Sequence, residues 1–218
     1  MNIDKLPKSF WLIAPFATWM VLMTALPATT WAYAVRTAVT AGLLVAGWRQ
    51  GLKTLDLRRE TCLPSLVSSP LKSLVSRLKS SLLPGLVVGL AVFAIWVLPE
   101  QFDLSWYRRF CIIGEGGTQA VAEASAVMIA IRLIGSAFVI SVAEELFFRK
   151  WLISFAGFWP MVALFAVEHD RWLVAAICGV AYGWLYLRRG LGAAIVAHIT
   201  TNLVLGLWVL KTGQWQFW

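Results

Sequence analysis

The sequence predicts an all-α fold: a polytopic transmembrane helical bundle of about seven helical segments, with a further amphipathic helix at its surface. Two observations carry that expectation. Of the 218 residues, 60% are hydrophobic and only 14% charged, far from the roughly half-apolar, quarter-charged balance of soluble domains. A water-soluble domain of this length cannot hide so much apolar surface. The apolar residues also fall into runs of about the twenty residues that a ~30 Å hydrocarbon core asks of a helix.

The runs lie at about 10–28, 29–48, 82–98, 124–153, 160–169, 171–187 and 190–210, some of them shorter than a full span. The first follows Lys5 and Lys8 and precedes the small residues Ala28 and Ala32, which mimics a secretory signal. Its length and the spans behind it argue for an uncleaved first helix. Between the second and third runs, Arg49, Lys53, Arg58, Arg59, Lys72, Arg77 and Lys79 crowd one loop, 49–81. By the positive-inside rule that loop, the N-terminus, Arg149/Lys150 and Arg188/Arg189 face the cytoplasm, and the C-terminus lies outside. A bacterial inner membrane is the expected location. The net charge of +8 is thus an orientation signal, and the expected partner is the lipid bilayer rather than nucleic acid.

Inside the loop, Leu71, Leu74, Val75 and Leu78 form a stripe at helical spacing, with Lys72, Arg77 and Lys79 off it. Ser69 and Pro70 suit a cap and a first helical position, so a short amphipathic helix is expected on the inner leaflet. Cys62, Cys111 and Cys178 fit neither a CxxC nor a ligand spacing, and no disulfide or metal role is expected for them. Trp11, Trp31, Trp48, Trp96, Trp151, Trp172 and Trp208 sit near span ends, as an aromatic belt requires. Arg36 and Arg132, near the outer ends of their helices, are expected to snorkel. The chain divides into residues 1–123, N-terminal membrane helices with the basic loop, and residues 124–210, the helices that carry chemistry, within a single integrated membrane domain.

Ionisable groups inside apolar helices cost several kcal/mol and are functional candidates for that reason. In the stretch Ser141 to Arg149, Glu144 and Glu145 stand side by side in an apolar run, and Arg149 lies one turn beyond Glu145 on the same face. Burial and a neighbouring cation act in opposite directions on a carboxyl, which suits a general base acting on water. A self-neutralising Glu145–Arg149 pair accounts for the segment equally well. The histidines tip the balance. The chain has two, His169 after Phe165 and His198 four residues before Asn202, both in apolar segments. His198 and Asn202 face the same way.

In this order, EExxxR (Glu144, Glu145, Arg149), FxxxH (Phe165, His169) and HxxxN (His198, Asn202) resemble the signature of the CPBP family of CAAX prenyl endopeptidases and bacteriocin-processing or immunity proteins, over roughly residues 124–210. Within it the chain is most similar to the bacterial CAAX-protease-related proteins found beside exosortase systems. The resemblance implies an intramembrane endopeptidase acting on a membrane-embedded or lipidated, CAAX-like substrate. Glu144 would activate water with His169 orienting it, Glu145 and Arg149 would hold that carboxylate, and His198 and Asn202 would stabilise the oxyanion. Zinc is a candidate cofactor, with Glu144, His169 and His198 as its ligands, although HExxH is absent. A non-catalytic immunity or scaffold protein and a small proton-coupled carrier are the rival readings. The carrier lacks the inverted repeats expected of it.

One departure from the family is a short gap between Glu145 and His169. Were a full span to follow Arg149, His169 would stand ~27 Å from Trp151, across the membrane. Gly157 and Pro160 are breakers that let the Glu helix run on to about Phe155. Counted from inner ends near 155, 160 and 190, Glu145, His169 and His198 then all lie roughly 12–15 Å deep.

Overall fold

The computed structural model describes residues 6–50, 70–113 and 124–217. These form eight helices: α1 (Lys8–Ala25), α2 (Thr30–Gln50), α3 (Pro70–Gln101), α4 (Ser105–Cys111), α5 (Ala126–Ala156), α6 (Phe158–Val167), α7 (Trp172–Arg189) and α8 (Leu191–Thr212). A 3-10 turn, Trp215–Phe217, follows. No strand occurs among the described residues. α1, the Ser81–Gln101 part of α3, α5 and α8 are each long and apolar enough to cross a bilayer, so the chain is a helical membrane protein. Most of the basic loop, residues 51–69, lies outside the described residues.

The expected amphipathic stretch begins at Pro70, as its sequence predicts, but it is not a separate helix. Its backbone runs unbroken into the span and passes through Pro84. A helix tolerates an internal proline where a neighbour holds it, and α3 makes its most extensive contact with α8. The close approach depends on Gly89, where an added Cβ would lie 2.5 Å from the Ala197 carbonyl oxygen. α4 has no counterpart in the hydropathy reading because its seven residues, Ser105 to Cys111, are half polar.

Two glycines make the turns that set the depth of everything after Glu145. Gly157 (φ +94°) separates α5 from α6 and Gly190 (φ +88°) separates α7 from α8, conformations that residues with a Cβ adopt only under strain. α6 spans ten residues, or about 15 Å, so it ends inside the bilayer thickness and the chain turns back through Glu168–Arg171 into α7. The turn is pinned there. Arg171 Nε donates to Glu100 Oε1 of α3 at 2.6 Å, with both side chains buried, and Trp172 Nε1 donates to the Phe110 carbonyl of α4 at 2.9 Å.

α5 is not uniformly α-helical. Gly135–Ile140 and Glu145–Leu152 are wound as π-helix, a geometry found mostly as short bulges at functional sites. Phe148 of the second π segment packs edge-on against Phe165 and at 5.1 Å against Phe16, so α1, α5 and α6 share one aromatic core. Two expectations fail here. Arg36 does not snorkel: it is buried with its guanidinium 5.7 Å from the rings of Trp19 and Tyr33. Trp11 and Trp96 do not belong to a belt, since Trp11 is buried in the core and Trp96 faces an interior cavity. Helices packed between other helices present their end residues to protein, not to lipid.

Candidate active site

Successive residues on a helix project about 100° apart, and α5 uses that angle to aim its two glutamates at different neighbours. Glu145 is fully enclosed and its Oε1 lies 3.1 Å from Nη1 of Arg149, also fully enclosed. The contact is an ion pair without hydrogen-bond alignment. Aromatic faces complete the surroundings of the cation, with the Phe165 ring centre 4.3 Å from the guanidinium carbon and that of Tyr182 at 5.3 Å, an attractive arrangement for a desolvated cation. Glu144 instead faces a cavity, and its Oε2 is buried with no hydrogen-bond partner.

His198 of α8 connects the two carboxylates. Its Nδ1 is 2.8 Å from Glu145 Oε1, and its Nε2 is 3.6 Å from Glu144 Oε2. Because a carboxylate accepts, Nδ1 carries a hydrogen. Nε2 then presents a lone pair to Glu144 unless a proton lies between them. A single proton in that gap makes Glu144, Glu145, Arg149 and His198 neutral as a group, the condition under which buried charges are tolerated. The ring is also stacked on Tyr182, 5.0 Å between centres. Tyr182 in turn donates to Thr201 Oγ1 at 2.7 Å, and Thr201 donates to the Gly89 carbonyl at 2.8 Å.

His169 follows the last turn of α6. Its Nδ1 is 2.8 Å from the Phe165 carbonyl, which can only accept, so the hydrogen is on Nδ1 and Nε2 is left as an acceptor. Its ring lies against Phe165 (4.6 Å) and edge-on to Trp96 (5.9 Å). Phe165 of the FxxxH motif therefore serves three purposes: it fixes the His169 tautomer through its backbone, flanks that ring, and covers Arg149.

Asn202 has a different occupation from the one the resemblance implies. Its Nδ2 donates to the Ser136 carbonyl and to Ser141 Oγ, both at 3.0 Å. Ser141 Oγ donates to the same Ser136 carbonyl at 3.1 Å. In this arrangement Asn202 braces the first π segment, and both of its N–H donors are committed.

Glu144, His169, His198 and Asn202 line one cavity of about 170 Å³, with Trp96, Ser136 and Tyr182 also on its walls. Sequence reasoning missed those last three. Only the small-residue face of α7, Cys178, Gly179 and Gly183 around Tyr182, signals a close helix contact. The zinc set is not gathered for a metal. No three His, Cys, Asp or Glu side chains among the described residues stand at metal-ligand spacing, and His198 already has both nitrogens directed at carboxylates. As arranged, these residues do not fit the ion.

Residues 125–204 match the family model of the Type II CAAX prenyl endopeptidase Rce1-like proteins. The resemblance read from the three motifs therefore holds over this segment, from the cap of α5 through Asn202. No curated protein and no solved structure matches the chain. The match covers α5, α6, α7 and the greater part of α8, and α1–α4 lie outside the matched residues.

Proposed function

We propose that the chain is an intramembrane endopeptidase that cleaves a membrane-anchored or lipidated, CAAX-like substrate by Glu144-activated attack of water. One observation carries the reading. A buried Glu144 oxygen without a partner faces a cavity whose other walls hold two imidazoles. The match of residues 125–204 to the Rce1-like CAAX prenyl endopeptidases supports the endopeptidase part of this reading.

In the proposed reaction a water in the cavity hydrogen-bonds to Glu144 and to Nε2 of His169. Glu144 takes one proton as the water oxygen bonds to the scissile carbonyl carbon. The carbonyl oxygen becomes an oxyanion, which accepts from the proton on His198 Nε2; that donor is preorganised by Glu145 on the opposite side of the ring. Glu144 then returns its proton to the amide nitrogen, the C–N bond breaks, and a carboxylic acid and an amine leave. Glu145 and Arg149 act at one remove by holding His198 and balancing charge. Asn202 acts by holding the Ser136 end of the cavity wall. No step passes through a metal.

We place the protein in a bacterial inner membrane with its N-terminus in the cytoplasm. Arg149/Lys150 before the Gly157 turn and Arg188/Arg189 before the Gly190 turn support this, since both turns close the same end of the bundle. Cleavage of a farnesylated CAAX peptide by purified protein, wild type against Glu144→Gln, tests the function.

A further inference from the structure

The side-chain N–H and hydroxyl donors on the cavity wall are committed to protein acceptors, with one exception. Asn202 gives its hydrogens to Ser136 and Ser141, Tyr182 donates to Thr201, and Thr201 donates to the Gly89 carbonyl. Ser136 Oγ donates to the Leu133 carbonyl at 3.2 Å. The Nδ1 hydrogens of His169 and His198 are directed at the Phe165 carbonyl and at Glu145. The exception is Trp96 of α3, which lines the same cavity and whose Nε1 is buried with no hydrogen-bond partner among the described residues. An indole N–H donates and cannot accept, and a buried donor without an acceptor is destabilising to keep. Its complement is an oxygen that becomes negative only during the reaction.

The indole is fixed in place from two sides. It stands edge-on to His169, 5.9 Å between ring centres, so it borders the imidazole that would hold the attacking water. Glu100 lies one turn beyond Trp96 on α3 and Arg171 two residues beyond His169, and their buried 2.6 Å ion pair ties the two elements together beside these rings. Toward α8, Gly89 lies two turns before Trp96 on the same face and packs on the carbonyl of Ala197, the residue before His198. We infer that the Trp96 indole N–H is a catalytic hydrogen-bond donor that joins His198 Nε2 in holding the oxyanion of the tetrahedral intermediate. It fills the position that the resemblance gives to Asn202, whose hydrogens are held by Ser136 and Ser141. The indole keeps its hydrogen throughout, so the proton transfers between water, Glu144 and the leaving amine are unchanged. The role deepens the protease reading of this cavity and rests on it. Trp96 lies outside the matched residues 125–204, so this donor comes from the other half of the chain.

The test uses the purified full-length protein and a farnesylated CAAX peptide. Wild type is compared with Trp96→Phe and with Trp96→benzothienylalanine, a non-natural residue that exchanges the N–H for sulfur and keeps the shape of the ring, so it stands even where Trp96→Phe fails to fold. Both replacements should lower kcat on the order of 10²-fold with KM unchanged. The melting temperature of the benzothienylalanine protein should be unchanged or raised, because no hydrogen bond within the protein is lost. Affinity for a farnesylated peptide with a phosphinate in place of the scissile amide, which stands in for the tetrahedral intermediate, should fall in parallel with kcat. Trp159→Phe, at an exposed position of α6, should match wild type throughout. A wild-type kcat in the benzothienylalanine protein overturns the inference and leaves the protease reading standing. A raised KM with kcat unchanged does the same, since the N–H would then bind the substrate and the transition state equally. No cleavage by wild type removes the protease reading, and this role with it.

Discussion

Nδ1 of His198 stands 2.8 Å from Oε1 of Glu145, so the carboxylate that the sequence pairs with Arg149 also sets the tautomer of the imidazole facing Glu144. The two adjacent glutamates therefore divide their tasks by direction. One looks into the cavity, and the other holds the ring that looks into it.

Glu145→Gln should for this reason harm the protein twice. It leaves Arg149 without its anion in a fully enclosed site, where breaking a buried pair costs about 3–5 kcal/mol, and it loosens His198. The expected result is a large drop in melting temperature together with loss of cleavage. Glu145→Gln/Arg149→Met should recover the melt without recovering turnover. Recovery of both would remove Glu145 from any part in orienting His198.

Asn202→Ala separates a brace from an oxyanion donor. A brace loses its two donated hydrogen bonds, to the Ser136 carbonyl and to Ser141 Oγ, so stability should fall by about 1–3 kcal/mol along with activity. A normal melt with kcat reduced about 10²-fold or more and KM unchanged is the signature of an oxyanion donor. That outcome would mean that the amide leaves Ser136 during turnover.

Chelation should have no effect. Since the donor set around Glu144 is not gathered at ligand spacing, activity should survive 1,10-phenanthroline and EDTA, and the purified protein should contain metal well below one equivalent. Loss of activity restored by zinc would show that Glu144, His169 and His198 rearrange around an ion.

The membrane fold was legible because transfer energetics write it in runs of apolar residues, and the Gly157 break was legible because positive φ selects glycine. Counting depth from that break puts Glu145, His169 and His198 at one level, while the cavity wall holds Glu144 with the two histidines. What could not be read was anything that depends on side-chain direction around a non-standard turn. The π windings of α5 leave no mark in a 3.6-residue pattern, so the use of Asn202 as a clamp on Ser136 was invisible. Tyr182 and Trp96 look like ordinary lipid-facing aromatics until α3 and α7 close around the histidines. Arg36 misled for the same reason, because distance from a helix end says nothing about which neighbour covers that face.

The most direct test of the account is Glu144→Gln, assayed for cleavage of a lipidated CAAX-type peptide beside wild type in one detergent preparation, with the fold of each checked by thermal melt. The substitution keeps the shape of the side chain but removes the proton acceptor at the cavity wall. The account predicts an unchanged or raised melting temperature, since no hydrogen-bonded partner of Oε2 is lost, and a fall in kcat on the order of 10²–10⁴-fold. A well-folded Glu144→Gln protein that cleaves at the wild-type rate would contradict it and leave the buried glutamates to structural duty alone.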